Sequence, residues 1–568
     1  MMIIAAIRWK KGLGVLALTM GFTASTQAAT LYLKADEPAK PVKPLPADRE
    51  RFDDTTAALR ALKPGDTLYL EPGVHRTTLD LRKASAVLSG SKSGTRITRI
   101  ESDPGAPATV KGSDRVAEWE RVGPHLFVHR DWDVNSEQVF VDGAPLTQIG
   151  GTVFGGFPEK PNHPLASLHK SQGGIWPGRK PGGVNNMPER SFFYEASSDR
   201  LYVKFPADSL AAHKVEVSVR TFGMIGEDLR NWKFANLRFQ HSNTSSVNQQ
   251  GAVTLLGDHL TLDNIWVTQA DGNGFDITGD DNDISNSRAM DCGIVGMKVR
   301  GKNATLTDNE TSFNNTRGFN KWWEAGGAKF VGNGGLQDSE ISGHRAFGNN
   351  GDGIWFDWAN RDNRVHDSVS AYNKGMGLQY EASSGALIYD NRFFANGQRG
   401  IYLPNSSKSV VAHNLVTGNG LEGIVIIDER GPSAEHPEWV PRSNHVVGNV
   451  IGWNGKAALV LPADRLDNES DANLFVGTKP PSLSLGWGSK AKPIVNGLTA
   501  WRKLSQQDDR SWQKTDALPA ALKADWRAQD EEPTEAAIRV LTQGLKVPAD
   551  LLSASLRPGA PATPGPRS

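Results

Sequence analysis

The sequence predicts an all-β chain built as a parallel β-helix, a solenoid of short strands, and three observations carry that expectation. Eight segments recur in the middle of the chain: Leu262-Asp263-Asn264-Ile265, Ile284-Ser285-Asn286-Ser287, Leu306-Thr307-Asp308-Asn309, Ile341-Ser342-Gly343-His344, Val365-His366-Asp367-Ser368, Ile388-Tyr389-Asp390-Asn391, Val411-Ala412-His413-Asn414 and Val446-Val447-Gly448-Asn449. Their last residues are separated by 22, 22, 35, 24, 23, 23 and 35 positions, a period of one coil lengthened twice by a loop. Most units carry a second turn rich in Asn or Gly: Asn314-Asn315, Asn349-Asn350, Asn373, Asn396-Gly397, Asn419-Gly420 and Asn454-Gly455. Apolar residues between the turns alternate, where a helical repeat would need a period near 3.6.

Asn suits such turns because it tolerates left-handed backbone angles and its amide can bond to backbone or to the Asn stacked above it. Alternation then assigns faces. In Gly353-Ile354-Trp355-Phe356-Asp357, Ile354 and Phe356 point inward, and Trp355 and Asp357 outward. The next coil, Gly377-Leu378-Gln379-Tyr380-Glu381, turns Leu378 and Tyr380 in and Gln379 and Glu381 out. Ile401 and Leu403, then Ile424 and Ile426, continue the core, with Tyr402 and Pro404 outward. Upstream, Asp276, Lys298 and Lys329 join the outward column, with Arg300 beside them.

Asp357 and Glu381 lie 24 residues apart at matching places, which puts two carboxylates side by side on one exposed face. Neighbouring strands are about 4.8 Å apart. A retaining glycosidase holds its carboxyl pair roughly 5–5.5 Å apart, one as nucleophile and one as acid/base. Their mutual repulsion can separate their pKa values. The plainer alternative is a pair of turn acids bonding loop amides. Around them the column alternates charge with flat aromatics, a surface suited to the C–H faces and hydroxyl edges of sugars.

Both insertions fall beside this column. The first, Arg317-Gly318-Phe319-Asn320-Lys321-Trp322-Trp323-Glu324-Ala325-Gly326-Gly327, brings Trp322, Trp323 and Glu324 near Trp355, and loops interrupting a solenoid usually serve its functional face. The second, from Asp428 to Arg442 with His436 and Trp439, is expected to form the far wall. Lys298, Arg300 and Lys329 suggest a rival chemistry, abstraction of a uronate C5 proton by a lyase or epimerase. They could instead pair with Asp276 or Asp357. A lyase would admit Ca²⁺; otherwise no cofactor or metal is expected. Asp280, Asp281 and Asp283 lack the glycine of a calcium loop, and His344, His366, His413 and His445 fall on the turn ladder as structural residues.

The 568 residues carry 63 basic and 63 acidic side chains, which argues against a nucleic-acid partner. Cys292 is the single cysteine, so no internal disulfide can form. Arg8, Lys10 and Lys11, the apolar run from Gly12 to Phe22 and Thr26-Gln27-Ala28 read as an export signal cleaved near Ala28, too short to span a bilayer. A bacterial periplasmic or secreted monomer, with no membrane contact after cleavage, is expected.

The expected organisation is a signal peptide (1–28), an N-terminal cap and first coils (29–118), a hairpin-rich insertion (119–216), a β-helix core (217–480), a helical segment (481–555) and a disordered tail (556–568). Ala39 to Asp48 is a linker rich in Pro and Lys, and Asp54 to Leu62 a short cap helix. The insertion contains the Gly/Pro-rich stretch from Gly150 to Asn186, with His163, His169, Trp176 and Arg179. Helices are expected from Leu498 and from Glu535 to Leu545.

Leu62-Lys63-Pro64-Gly65-Asp66-Thr67-Leu68 with Pro72-Gly73, the strand Val139-Phe140-Val141-Asp142-Gly143 and the Asn-rich coils resemble secreted bacterial right-handed parallel β-helix proteins of the pectate-lyase-like superfamily. Gly353 to Asp357 and Gln379-Tyr380-Glu381 are similar to the region supplying the acids in β-helix retaining β-xylosidases. The resemblance implies Asp357 as nucleophile, Glu381 as acid/base and a polysaccharide or oligosaccharide substrate. Trp355, Gln379, Tyr402, Trp322, Trp323, Glu324, Lys329, Lys298 and Arg300 are the accompanying binding candidates. The cationic column departs from what a neutral xylan needs, so an acidic glycan stays open, as does a non-catalytic glycan-binding solenoid.

Overall fold

Short strands punctuated by Asn and Gly turns stack into a right-handed parallel β-helix in a computed structural model of the chain. It describes residues 28–517 except 89–95, 151–178, 181, 245–249, 323, 333, 430–435, 465–466 and 487–493. Each coil contributes one strand to a 14-stranded sheet and further short strands to a 26-stranded sheet that wraps the other sides. One coil, for example, is made of Asp352–Asp357, Arg364–His366 and Val369–Ala371. Inward residues stack as Ile354, Leu378, Ile401, Ile424 and Leu459, all fully buried, so apolar columns fill the axis.

The turn amides lock that stack. Asn314, Asn349, Asn373, Asn396, Asn419 and Asn454 form one ladder, and Asn391, Asn414, Asn449 and Asn473 another. Each rung uses the whole side chain. Asn373 Oδ1 accepts from the Asn349 backbone and side chain at 3.0 and 2.8 Å, while its Nδ2 donates to Ala346 O and Asn396 Oδ1, both at 3.0 Å. A coil thus satisfies buried polar groups only through its neighbour.

The first coil is closed by the helix Thr55–Ala61, begun by Asp54, whose Oδ1 accepts the Ala57 N–H at 2.6 Å. Its Ala58 and Leu59 join the solenoid core. Between Lys111 and Met224 the chain leaves the coil to build a six-stranded and a four-stranded sheet with a core of their own, including Phe127, Val139, Phe192, Leu201 and Val217. These sheets reach beyond the expected 119–216. Ser113–Arg115 pairs with Val215–Ser218, a contact between residues a hundred positions apart that no local pattern reveals, and coil strands resume at Met224.

Coil strands also continue past Val476. Ser482–Leu485 stacks on Leu459–Leu461, and Trp512–Thr515 on Leu474–Gly477, with the helix Leu498–Ser505 between them. The signal segment, most of the Gly150–Asn186 stretch with His163, His169 and Trp176, the Glu535–Leu545 helix and the tail lie outside the described residues. Among the described residues no helix is long and apolar enough to cross a membrane.

Replacing one ladder amide should loosen several coils together. Asn373→Ala strips hydrogen-bond partners from Asn349, Ala346, Ser370 and Asn396, and should cost about 2–3 kcal/mol from unsatisfied buried groups. The expected result is a lower denaturant midpoint; a midpoint equal to wild type would mean that the ladder is dispensable there.

Candidate active site

The coil register brings the outward residues into one line. Asp276 pairs with Lys298, Lys298 with Lys329, Lys329 with Trp355, Trp355 with Gln379, and Gln379 with Tyr402. Asp357 lies directly opposite Glu381 on the next strand. All these residues face away from the core, as alternation requires.

Their exposure differs from expectation. The column is not an open face: Lys298, Lys329, Trp355, Gln379, Glu381 and Tyr402 are all buried, and Asp357 is half-buried. Two causes are visible. Oppositely charged side chains close on one another, and the first insertion folds across the sheet. Glu324 from that loop meets Lys298 at 2.7 Å, and Lys321 Nζ donates to Lys374 O at 3.3 Å several coils away. Trp322 stays half exposed, and Trp323 lies outside the described residues.

Every cation of the column has an acid. Lys329 Nζ lies 3.0 Å from Asp357 Oδ2 and 3.5 Å from the centre of the Trp355 ring. Arg300 reaches Asp276 Oδ1 at 2.9 Å and Thr278 Oγ1 at 2.7 Å. Burial pushes the Asp276 carboxyl above its usual range, against the opposing pull of Arg300 and Lys298.

Gln379 organises the second carboxylate. Its Nε2 donates to Glu381 Oε2 at 2.8 Å. Gln379 Oε1 and Trp355 Nε1 find no hydrogen-bond partner among the described residues, although both are buried. Tyr402 lies under Arg399, whose guanidinium carbon is 4.3 Å from the ring centre, and Arg399 in turn meets Glu422 at 3.0 Å. Burial first, and then the negative charge of Glu429, raise the Tyr402 phenol.

Two residues near the pair escaped the sequence reading. Asp352 stands at an even position of its strand, where alternation assigns core, so its acid was passed over. Its Oδ1 accepts the Met376 N–H at 2.7 Å, and burial pushes its carboxyl up to about 7, with Lys329 pulling down and Glu381 pushing up. Trp358, next to Asp357, belongs to a turn that the strand pattern does not cover, and it is among the most exposed large apolar side chains described.

The second insertion brings Trp439 to within 5.6 Å of Trp358 between ring centres. Asp280 and Asp281 brace the neighbouring coil through Lys302 N and Asn303 Nδ2, and no cluster of three metal-binding side chains occurs among the described residues. His344 is buried with Nε2 2.9 Å from Thr311 Oγ1, and burial pushes it down to about 4.

The family described as Right handed beta helix region matches residues 319–451, a span holding both carboxylates. A search of curated protein sequences finds no match. Among solved structures, the chain is similar to XylC in complex with xylose (12% identity, 85% of this chain and 82% of that one, TM-score 0.46). It is also similar to the A-module of the Azotobacter vinelandii mannuronan C-5 epimerase AlgE6 (12% identity, 82% and 94%, TM-score 0.44). A third is the GH136 lacto-N-biosidase from Eubacterium ramulus (10% identity, 86% and 68%, TM-score 0.35). These likenesses concern the course of the chain and assign no chemistry to the column.

Asp352 makes stability depend on pH. Folded, it takes its proton at about 7; unfolded, at about 3.9. Its contribution is therefore complete below about pH 4 and is lost as pH rises through about 7. Asp352→Asn keeps an acceptor for Met376 and cannot ionise. Its stability relative to wild type should improve by about 1–3 kcal/mol between about pH 5 and pH 8.5. Denaturant midpoints at both pH values check this, and equal differences at the two would show that folding does not raise the Asp352 carboxyl.

Proposed function

We propose that this chain is an exported glycan-active enzyme, a retaining glycoside hydrolase with Asp357 as nucleophile and Glu381 as acid/base. The observation that carries the reading is the direct register of the two carboxylates on adjacent coils, at a spacing natural to parallel strands and close to that of retaining pairs. In the first step an Asp357 oxygen bonds the anomeric carbon as the glycosidic C–O bond breaks, and Glu381 gives its proton to the leaving oxygen. Water then attacks the same carbon, Glu381 takes a proton from it, and the bond to Asp357 breaks.

The surrounding side chains fit these roles. Lys329, bonded to Asp357 and seated over Trp355, fixes the direction of the attacking carboxylate. Gln379 fixes Glu381. Trp322, half exposed, supplies aromatic surface, and Trp323 is proposed to add to it, while Trp355 and Tyr402 lie buried beneath Lys329 and Arg399 and shape the floor of the column. Lys298, Glu324 and Arg300 hold the far end of the column through their pairs with one another and with Asp276.

A uronate lyase or C5-epimerase is the second reading, favoured by the row of cations ending at Lys329. It would require Lys329 to leave Asp357 before taking a proton, which weighs against it. Wild type, Asp357→Asn and Glu381→Gln, assayed on neutral and acidic glycans, separate the two. The hydrolase should release reducing ends with retained anomeric configuration and no ultraviolet absorbance, and each variant should lose about a thousandfold or more in kcat, as removal of an acid/base or nucleophile implies. Absorbing unsaturated products that persist in Asp357→Asn would replace this reading with the lyase.

A further inference from the structure

Trp358 follows Asp357 and enters the turn with a left-handed backbone, φ 58°. Ala382 and Asn405 occupy the same place one and two coils on. Trp358 N donates to Glu381 O, Ala382 N to Pro404 O, and Asn405 N to Ile427 O. An asparagine is at ease in this conformation, whereas a bulky indole is sterically disfavoured. Trp358 nonetheless leaves 49% of its surface exposed. A side chain that burdens its turn and also shows apolar surface to water has no account in the packing of the coil.

A second indole is delivered to the same spot. Asn405 Nδ2 donates to Trp439 O at 3.1 Å and to Asp428 Oδ1 at 3.0 Å, which ties the second insertion back to the turn column. Between Trp358 and Asn405 the column holds only the methyl of Ala382, so Trp439 reaches Trp358, with the rings tilted at 49°. His436 stacks on Trp439 at 3.7 Å between centres and 7° between planes, and its Nδ1 lies 3.1 Å from Glu438 Oε1. The plane of Trp439 is therefore set by protein contacts before any ligand arrives.

We propose that Trp358 and Trp439, backed by His436, form a second sugar subsite for the pyranose ring adjoining the one held at Asp357 and Glu381. The proposal rests on the glycan reading above and extends it, because it makes the substrate an oligomer rather than a simple glycoside. Two rigid aromatic faces at an angle match the C–H surface of a ring and leave its hydroxyls to water and to nearby acceptors. Among the described residues of the second insertion, Asp428, Glu429 and Glu438 are acidic against the single basic Arg442, a balance that favours a neutral ring over a uronate.

The test uses the full chain carrying Asp357→Asn, so that binding is read without turnover. Isothermal titration follows neutral β-linked xylose, glucose and galactose oligomers from monosaccharide to hexasaccharide, with oligouronates as the charged series. Trp358→Asn is added because asparagine already fits this turn at position 405, and Trp439→Ala as a second variant. Affinity should rise with length for a neutral series. Either substitution should then reduce it by about tenfold, or 1.4 kcal/mol, for the longer members. The monosaccharide should stay within about twofold and the denaturant midpoint of Trp358→Asn should not fall.

Equal affinities at every length with and without the substitutions would overturn the subsite, as would a parent protein that binds no neutral oligomer. Wild-type hydrolysis whose length dependence survives Trp358→Asn would remove the subsite and leave the hydrolase. Length-dependent binding that needs Trp358, in a wild type without turnover, would keep the subsite and remove the hydrolase.

Discussion

The amide ladders inside the turns are the constraint from which the rest follows. A parallel strand pair alone does little to prevent a slip of one residue, and such a slip would exchange the inward and outward sets. Here each Asn binds the backbone and side chain of the coil below and is bound by the coil above. A slip would therefore orphan several buried polar groups at once. The period of 23 or 24 residues between rungs Asn349, Asn373, Asn396 and Asn419 passes unaltered into the strands on the far side of the coil. Asp357 meets Glu381 because Asn349 meets Asn373.

A register held this firmly can carry an unfavourable column. Lysine, arginine and carboxylate side chains taken out of water lose hydration that their mutual attraction only partly restores. The column nevertheless stacks Asp276, Lys298 and Lys329 on successive strands and closes them with Arg300, Glu324 and Asp357. Aliphatic residues at these positions would pack without that loss, as they do on the coils after Tyr402, where Val425 and Val460 continue the same line. The change from charged and aromatic to plainly apolar marks where the fold alone governs the choice of residue.

Which parts were legible in the sequence follows from the range of the interactions involved. Period and alternation are local, so the coil register, the inward columns and the opposition of Asp357 and Glu381 could be read from residue spacing. Burial of the column could not be, because it depends on how the loop around Glu324 lies across distant coils. Asp352 was hidden by the alternation rule itself, since a polar residue at a core-facing position looks like an end of strand. Trp358 was hidden by its turn, a position that the strand pattern does not cover and that holds Ala382 and Asn405 on the next two coils. The limits of the insertion differ from the expected ones because Ser113–Arg115 pairs with Val215–Ser218, a partner a hundred positions away that no local pattern reveals.

The same dependence on distant contacts links the insertion to the candidate site. Arg317 opens the loop that carries Trp322 and Glu324, and it is buried among groups from three parts of the chain. It bonds Asp271 of a preceding coil, Gln148 Oε1 at 2.9 Å and Glu137 O at 2.7 Å, the last two from the insertion. Burial pushes the Asp271 carboxyl up, while Arg317 pulls the other way. A guanidinium placed there satisfies three acceptors only if coil, loop and insertion are all in position. The insertion thus acts on the loop through its root, fixing where Glu324 leaves the sheet to meet Lys298. Its described residues contribute to the geometry of the column without supplying any of the side chains in it.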